Sequence, residues 1–389
     1  MFKVLTLNNI SVTGLDRLSR ENYEIASEIQ HPDAVLVRSF KMHDWDVPES
    51  LQAIGRAGAG VNNIPVDTMT AKGIPVFNAP GANSNAVQEL VLTGMLLSAR
   101  NICPAWEFAK QLEGDDAEIS KQVEAGKKNF VGFELPGKTL GVIGLGAIGI
   151  KIANTAIALG MRVIGYDPKI TVQGAWKLSH EVEQASSVDD LLCHCDFVTF
   201  HVPLVEGTKN MINAERLVNM RDNVTILNFS RGGIVNDEAV VDALDNGKVH
   251  AYVCDFPSNL LKQHPKVVTL PHLGASTMEA EDNCAIMVAD QIKDYLESGN
   301  ISNSVNFPTI KMAKLPEQFR LTVAHDNIPH ILSSVTNAIA NAEINILDML
   351  NKSLNDAAYT LIDTESELSE SVIAEIEAID GVLNVRCLS

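Results

Sequence analysis

The chain has no uninterrupted apolar stretch approaching the roughly 20 residues that a membrane-spanning helix requires. It is also short of positive charge, with 30 Lys and Arg against 49 Asp and Glu and a formal net charge of -19. A surface of that sign repels phosphodiester chains and anionic lipid, so nucleic acid and membrane are excluded as partners. An anionic substrate would then need a site that gathers its own cations. Cysteine is scarce: Cys103, Cys193, Cys195, Cys254, Cys284 and Cys387 are scattered, and the close pair in C-H-C lacks the spacing of a redox dithiol or a zinc knuckle. Reduced structural thiols and no metal are expected. The opening MFKVLTLNNI alternates like a strand and lacks the layout of a cleavable signal, so a cytoplasmic protein is expected. One further absence is local, because no Asp or Glu occurs from Phe256 to Met278.

What is present is the composition of an ordinary globular protein, 46 % hydrophobic and 20 % charged over 389 residues, enough for two or three domains. The first hundred residues alternate short apolar runs with small-residue turns and end in a helix pattern, NAVQELVLTGMLLSA from Asn85. From Thr139 the alternation is regular: TLGVI, a helix from Ala147, MRVIGY, DFVTF, NVTILNF, a helix from Asp237, VHAYVC and KVVTL. Strands separated by helices predict a doubly wound parallel α/β sheet of the Rossmann kind. After a helix ending near Gly299, residues 301–317 read as a linker rich in Asn, Ser and Pro. Residues 318–389 follow the order β-α-β-β-α-β of a compact ferredoxin-like α+β module.

The segment TLGVIGLGAIG sets Gly144, Gly146 and Gly149 directly after a strand and at the start of a helix. Glycine there permits a tight turn and lets backbone amides approach a pyrophosphate at the positive end of the helix. Asp167 in GYDP follows eighteen residues after Gly149, where a carboxylate accepts from both ribose hydroxyls and repels a 2′-phosphate, so NAD is expected over NADP. Arg231 in NFSRGGIVND lies just beyond a strand beside two glycines, and its planar double donor suits a carboxylate or a keto acid. His272 in PHLGAST supplies an imidazole, a base near neutral pH of the kind that alcohol oxidation needs.

VRS at Arg38, GRAGAGVNNI, the glycine fingerprint, HVPL, SRGGIV and PHLGAST together resemble the D-isomer-specific 2-hydroxyacid dehydrogenases over residues 1 to about 300. The resemblance implies a nucleotide-binding domain, 96–271, inserted in a smaller α/β substrate domain, 1–95 with 272–300. It implies that His272 exchanges a proton with the substrate hydroxyl while hydride moves to nicotinamide, and that Arg231 binds the carboxylate and polarises the carbonyl. Around NAD it implies Gly144, Gly146, Ala147, Ile148, Gly149, Asp167, His201, Pro203, Thr208, Phe229, Ser230, Asp255, Gly274 and Ala275, with Asp255 beside the nicotinamide. On the substrate side it implies Arg38, Ser39, Gly60, Val61 and Asn83. Arg38-Ser39 with Asn83 resemble the phosphate pocket of the branch that oxidises D-3-phosphoglycerate, and Lys41 adds charge nearby.

The terminal module, with HDNIPHIL and AEINI, looks like an ACT regulatory domain, in which residues matching His325, Asn327 and Asn345 hold L-serine across a domain dimer. Dehydrogenase and ACT domain together imply the first step of serine synthesis, in a homo-oligomer, a dimer or tetramer. Alternatives are a sister enzyme acting on glyoxylate, hydroxypyruvate or lactate, and a non-catalytic NAD-responsive binding protein. Two departures qualify the pattern. The family's D-V-F-x-x-E-P, whose glutamate hydrogen-bonds the catalytic histidine, is DFPSNLL here, with Asn259 or Leu260 at the acid's place and Asp255 or Lys262 as fallback partners. The small glycine expected after the proline of the effector loop is His330, a side chain large enough to crowd an amino-acid effector.

Overall fold

The computed structural model describes residues 1–315 and 317–388. Pro316, in the expected linker, and Ser389, at the end of the terminal module, lie outside the described residues. The chain divides into two compact units, Met1–Asn83 with Met278–Ser389, and Ser84–Thr277. Among the described residues no helix is long and apolar enough to cross a membrane.

The first unit is built on a five-stranded parallel sheet in the order Tyr23–Ala26, Phe2–Leu7, Ala34–Val37, Ala53–Arg56, Val76–Phe77. The central run AVLV is buried along its whole length, as a parallel strand covered on both faces must be. The 21-residue helix Met278–Ser298 packs on this sheet through Val288 and Ile292, which meet Leu36 over Gly55.

The C-terminal part of the same unit runs Phe319–Asp326, helix Ile331–Asn341, Ile346–Leu354, Ala357–Thr364, helix Glu370–Glu377 and Val382–Leu388. Its antiparallel sheet has the order Ile346–Leu354, Ala357–Thr364, Phe319–Asp326, Val382–Leu388, the ferredoxin-like arrangement. Strand alternation gives the sheet two apolar faces. Leu321, Val323 and Ile362 bury against Ile331, Val335, Ile339, Val372 and Ile376 of its own helices. Ala324, Tyr359 and Leu361 point the other way and join Tyr295, Ile292 and Phe307 of the first α/β layer. Arg320 lies in this seam with a fully buried side chain. It pairs with Asp363 at 2.6 and 2.8 Å and donates to the carbonyls of Ser298, Met312 and Ala313. The module is therefore fused to the first layer through one continuous core.

The second unit carries a seven-stranded, wholly parallel sheet in the order Val267–Thr269, Val249–Cys254, Val224–Asn228, Phe197–Phe200, Thr139–Ile143, Arg162–Tyr166, Glu183–Gln184. The chain starts at Thr139–Ile143, winds to one side and then to the other, so the topological switch lies between that strand and Phe197–Phe200. Helix Ser84–Ala99 buries Val87, Val91 and Met95 against Leu140, Leu227 and Val253 of this sheet, and Gly94 lies under the Phe229 ring. The break consequently comes at 83/84, twelve residues before the position expected from sequence, and the return at 277/278 instead of 271/272. Burial pushes the Cys195 and Cys254 thiols up to about 12 and about 11, which keeps both protonated and inert.

Candidate active site

Within the second unit the residues singled out from sequence gather at one edge, the carboxyl ends of the parallel strands. Gly144 follows Ile143, Asp167 follows Tyr166, His201 follows Phe200, Phe229 to Arg231 follow Asn228, and Asp255 follows Cys254. Sterics explain the fingerprint. Gly144 has φ +93, and a Cβ there would stand 2.5 Å from the His201 carbonyl oxygen. A Cβ on Gly149 would lie 1.9 Å from the Gly144 oxygen, so only glycine lets the helix approach its strand. Gly146 faces open space and caps helix Ala147–Ala158 with no side-chain acceptor on its first amides. That cradle of backbone donors at a helix start fits a pyrophosphate. Asp167 braces it by accepting from the Leu145 and Lys169 amides, both at 2.8 Å.

Of the surrounding residues, Thr208 closes its own loop, donating to the Pro203 carbonyl at 2.6 Å and accepting from the Val205 amide at 2.8 Å. Ser230 donates to the Val202 carbonyl at 2.5 Å, which ties two strand-end loops together. His201 lies 2.9 Å from Thr199 Oγ1, and burial pushes its imidazole down to about 3, so it stays neutral. Phe229 is 6 % exposed and packs into the core, so its backbone and not its ring borders the site.

Arg231 is exposed, donates to the Ser230 carbonyl at 2.7 Å, and forms no ion pair with any described carboxylate. Its turn is held by Asn228, a residue the sequence reading passed over. Asn228 is 1 % exposed and donates to the Arg231 carbonyl at 2.9 Å. His272 is exposed as well, with φ +56, a left-handed backbone that costs an L-residue about 1 kcal/mol or more. Asp255 holds that backbone in place. Its carboxylate is 1 % exposed and accepts from the amides of Leu273 at 2.8 Å and Gly274 at 2.9 Å. Asp255→Asn would turn an amide donor toward one of those N–H groups. Leaving a buried donor unpaired costs about 1–3 kcal/mol, and the His272 loop is expected to loosen, lowering kcat while the fold stays intact by circular dichroism. Unchanged kcat in this variant would remove Asp255 from the positioning of His272.

In the first unit, Arg38 donates to Glu281 at 2.7 Å across the start of helix Met278–Ser298, and its guanidinium holds the Glu281 carboxyl below the ordinary range. The Ser39 amide donates to Asn8, Lys41 is exposed, and the Asn83 side-chain oxygen is buried without a partner. Gly60 and Val61 lie in the half-buried loop after Ala53–Arg56, with Val61 packed on the sheet core. In the terminal module His325 is 3 % exposed and spends both ring nitrogens inside the fold, on the Asp326 carbonyl at 2.7 Å and Thr360 Oγ1 at 3.0 Å. Asn327 donates to the Asn355 carbonyl at 3.0 Å, and the Asn345 carbonyl accepts from Glu365. His330 is exposed in the left-handed conformation (φ +75), the backbone that glycine would adopt without strain.

The profile of the D-isomer specific 2-hydroxyacid dehydrogenase NAD binding domain matches residues 94–274, within the second unit. The D-3-phosphoglycerate dehydrogenase of Haemophilus influenzae is 32 % identical over 350 residues, covering 87 % of this chain and 81 % of that enzyme. The chain belongs to the D-isomer-specific 2-hydroxyacid dehydrogenase family. The D-3-phosphoglycerate dehydrogenase of Methanocaldococcus jannaschii is 41 % identical over 301 residues, 75 % of this chain but 55 % of that longer protein. The NAD+-bound 3-phosphoglycerate dehydrogenase of Entamoeba histolytica shares the fold, with a TM-score of 0.61 at 24 % identity over 78 % of this chain and 98 % of that one.

As a 2-hydroxyacid dehydrogenase the chain has an NAD-binding domain in which the cradle, Arg231 and His272 occupy one edge of one sheet. Among the described residues no hydrogen bond or ion pair joins the His272 side chain to Asp255, Asn259 or Lys262. Asn259, Leu260 and Lys262 are exposed, and Asp255 is consumed by backbone amides. The side chain that does meet the His272 ring is Phe256, at 5.2 Å between centroids. It went unnoticed in the sequence because an apolar residue carries no signal of acid–base partnership.

Proposed function

We propose that this dehydrogenase oxidises 3-phosphoglycerate with NAD to 3-phosphohydroxypyruvate and NADH, the first step of L-serine synthesis. The observation that carries it is the placement of exposed Arg231 and His272 at the strand edge that holds the glycine cradle. His272 takes the proton of the C2 hydroxyl, and Arg231 binds the carboxylate and polarises the forming carbonyl. NAD, when bound, accepts the hydride. Arg38, with Ser39 and Lys41, takes the phosphate. Its pair with Glu281 is a surface pair, 35 % and 43 % exposed, of the kind that a doubly charged phosphate outcompetes. The identity to relatives named D-3-phosphoglycerate dehydrogenase supports this substrate. A plain 2-hydroxy acid is the second reading, favoured by the engagement of Arg38 with Glu281.

NADH formation with 3-phosphoglycerate, set against D-lactate and D-glycerate, decides between them. Arg38→Ala is expected to raise KM for 3-phosphoglycerate about 10- to 100-fold, the loss of a charge-assisted contact, and to leave KM for NAD alone. Equal turnover of the plain acids, untouched by Arg38→Ala, would sink the phosphorylated substrate.

The terminal module is proposed as an ACT-type sensor in which Asn327 and Asn345 take L-serine in a homo-oligomer, a dimer or tetramer, acting in the cytoplasm, while His325, with both ring nitrogens engaged inside the fold, holds the strand end beside them. Millimolar L-serine is expected to inhibit steady-state oxidation, and His330→Gly, which frees the loop of its large side chain, to sharpen that inhibition. Full activity at millimolar serine in both proteins rejects feedback through this loop.

A further inference from the structure

We propose that Phe256 is the positioning residue for His272, taking the place that a carboxylate holds in relatives; this rests on the proposed function. No acid lies between Phe256 and Met278, and the aspartate just before that segment uses both oxygens on the Leu273 and Gly274 amides. Asp255 therefore fixes the backbone behind the imidazole and leaves the ring plane unset. The Phe256 ring sets it: the two centroids are 5.2 Å apart and the planes meet at 66°, the edge-to-face geometry in which a positive ring edge meets a negative face. The same side chain lies on the turn that carries the arginine. Phe256 Cβ and Cγ stand 3.6 Å from where a Cβ on Gly232 would be, an ordinary contact distance. One apolar side chain thus meets the His272 ring and borders the open side of Gly232, the residue next to Arg231.

The chemistry differs from that of a carboxylate partner. A carboxylate fixes one tautomer and keeps the proton company, whereas an aromatic edge or face orients the ring and leaves both nitrogens to substrate and water. His272 then passes the proton on to solvent without a second protein group. Charged groups on the segments that flank His272 and Phe256 in this unit include Asp255, Arg231 and Lys262. The first is engaged by two amides, the second donates to the Ser230 carbonyl, and the third is exposed.

The test compares Phe256→Leu, which removes the ring, with Phe256→Tyr, which keeps it, in the full chain. Two quantities are read: kcat and KM for hydroxy-acid oxidation, and the His272 Cε1–H resonance, identified by its disappearance in His272→Ala. An aromatic contact of this geometry is expected to be worth about three- to tenfold in kcat. Phe256→Leu should lose that factor with both KM values unchanged and should shift the resonance, and Phe256→Tyr should restore both. An unmoved resonance in Phe256→Leu overturns the ring contact. A shifted resonance with unchanged kcat, or no restoration by tyrosine, overturns the positioning role. If leucine prevents folding, Phe256→Met takes its place with the same expectations. Should the wild-type protein oxidise only a plain hydroxy acid, the 3-phosphoglycerate reading falls and the kcat comparison is made on that acid. Should it oxidise none, the positioning role falls with the proposed function, while the resonance still decides the contact.

Discussion

Replacing His272 by alanine is expected to lower turnover about 10²- to 10⁴-fold, the range lost with a general base, and to leave NAD affinity as it was. The two effects separate because the residues involved belong to different parts of the sheet edge. The cradle is made by Gly144 to Gly149 and the helix that follows, braced by Asp167. His272 comes after the outermost strand, Val267–Thr269, and its backbone is fixed by Asp255 through Leu273 and Gly274. Those amide contacts do not involve the imidazole, so alanine removes the base and keeps the loop. His272→Asn is the control for the left-handed backbone at φ +56, since asparagine tolerates that region better than alanine. Both variants should bind NADH as the wild type does, by fluorescence titration, and both should fail to turn over. More than a tenth of wild-type kcat in either would take proton transfer away from His272.

The parts of this molecule that sequence disclosed are those fixed over short distances. Gly144 and Gly149 are legible because a strand, a turn and a helix start impose their sterics within a few residues, and Gly146 because it stands at the helix cap between them. The βαββαβ order of the terminal module was legible for a similar reason, since the change from period 2 to period 3.6 is written into each segment. Contacts that join distant positions were not. The oxygens of Asp255 meet amides eighteen and nineteen residues further on, a pairing that no local pattern announces. The ion pair of Arg38 is not announced either, since its partner Glu281 is 243 residues away. The boundary at 83/84 depends on which sheet receives Val87, Val91 and Met95, and an apolar helix stripe does not name its partner.

Arg320 is the largest case of that kind, and its removal is expected to cost about 3–5 kcal/mol of stability, the usual consequence of leaving one member of a buried ion pair behind. The side chain is fully buried and Asp363 nearly so, with the guanidinium forked on both carboxylate oxygens. Arg320→Ala would strand the Asp363 charge and take the donor from three carbonyls, those of Ser298, Met312 and Ala313. Two of these belong to the segment between helix Met278–Ser298 and the module, and the first ends the helix itself. The same helix carries Glu281, the partner of Arg38, in its opening turn. A 21-residue helix is about 30 Å long, so the Arg320 and Arg38 contacts lie at its opposite ends. Urea unfolding should register the loss as a lower midpoint. The paired replacement Arg320→Met with Asp363→Leu, which leaves no charge behind, should recover the part due to the stranded carboxylate and leave the part due to the three carbonyls. A single variant within about 1 kcal/mol of wild type, the scale of a surface pair, would mean that water reaches the seam and that the module is docked by its apolar face alone.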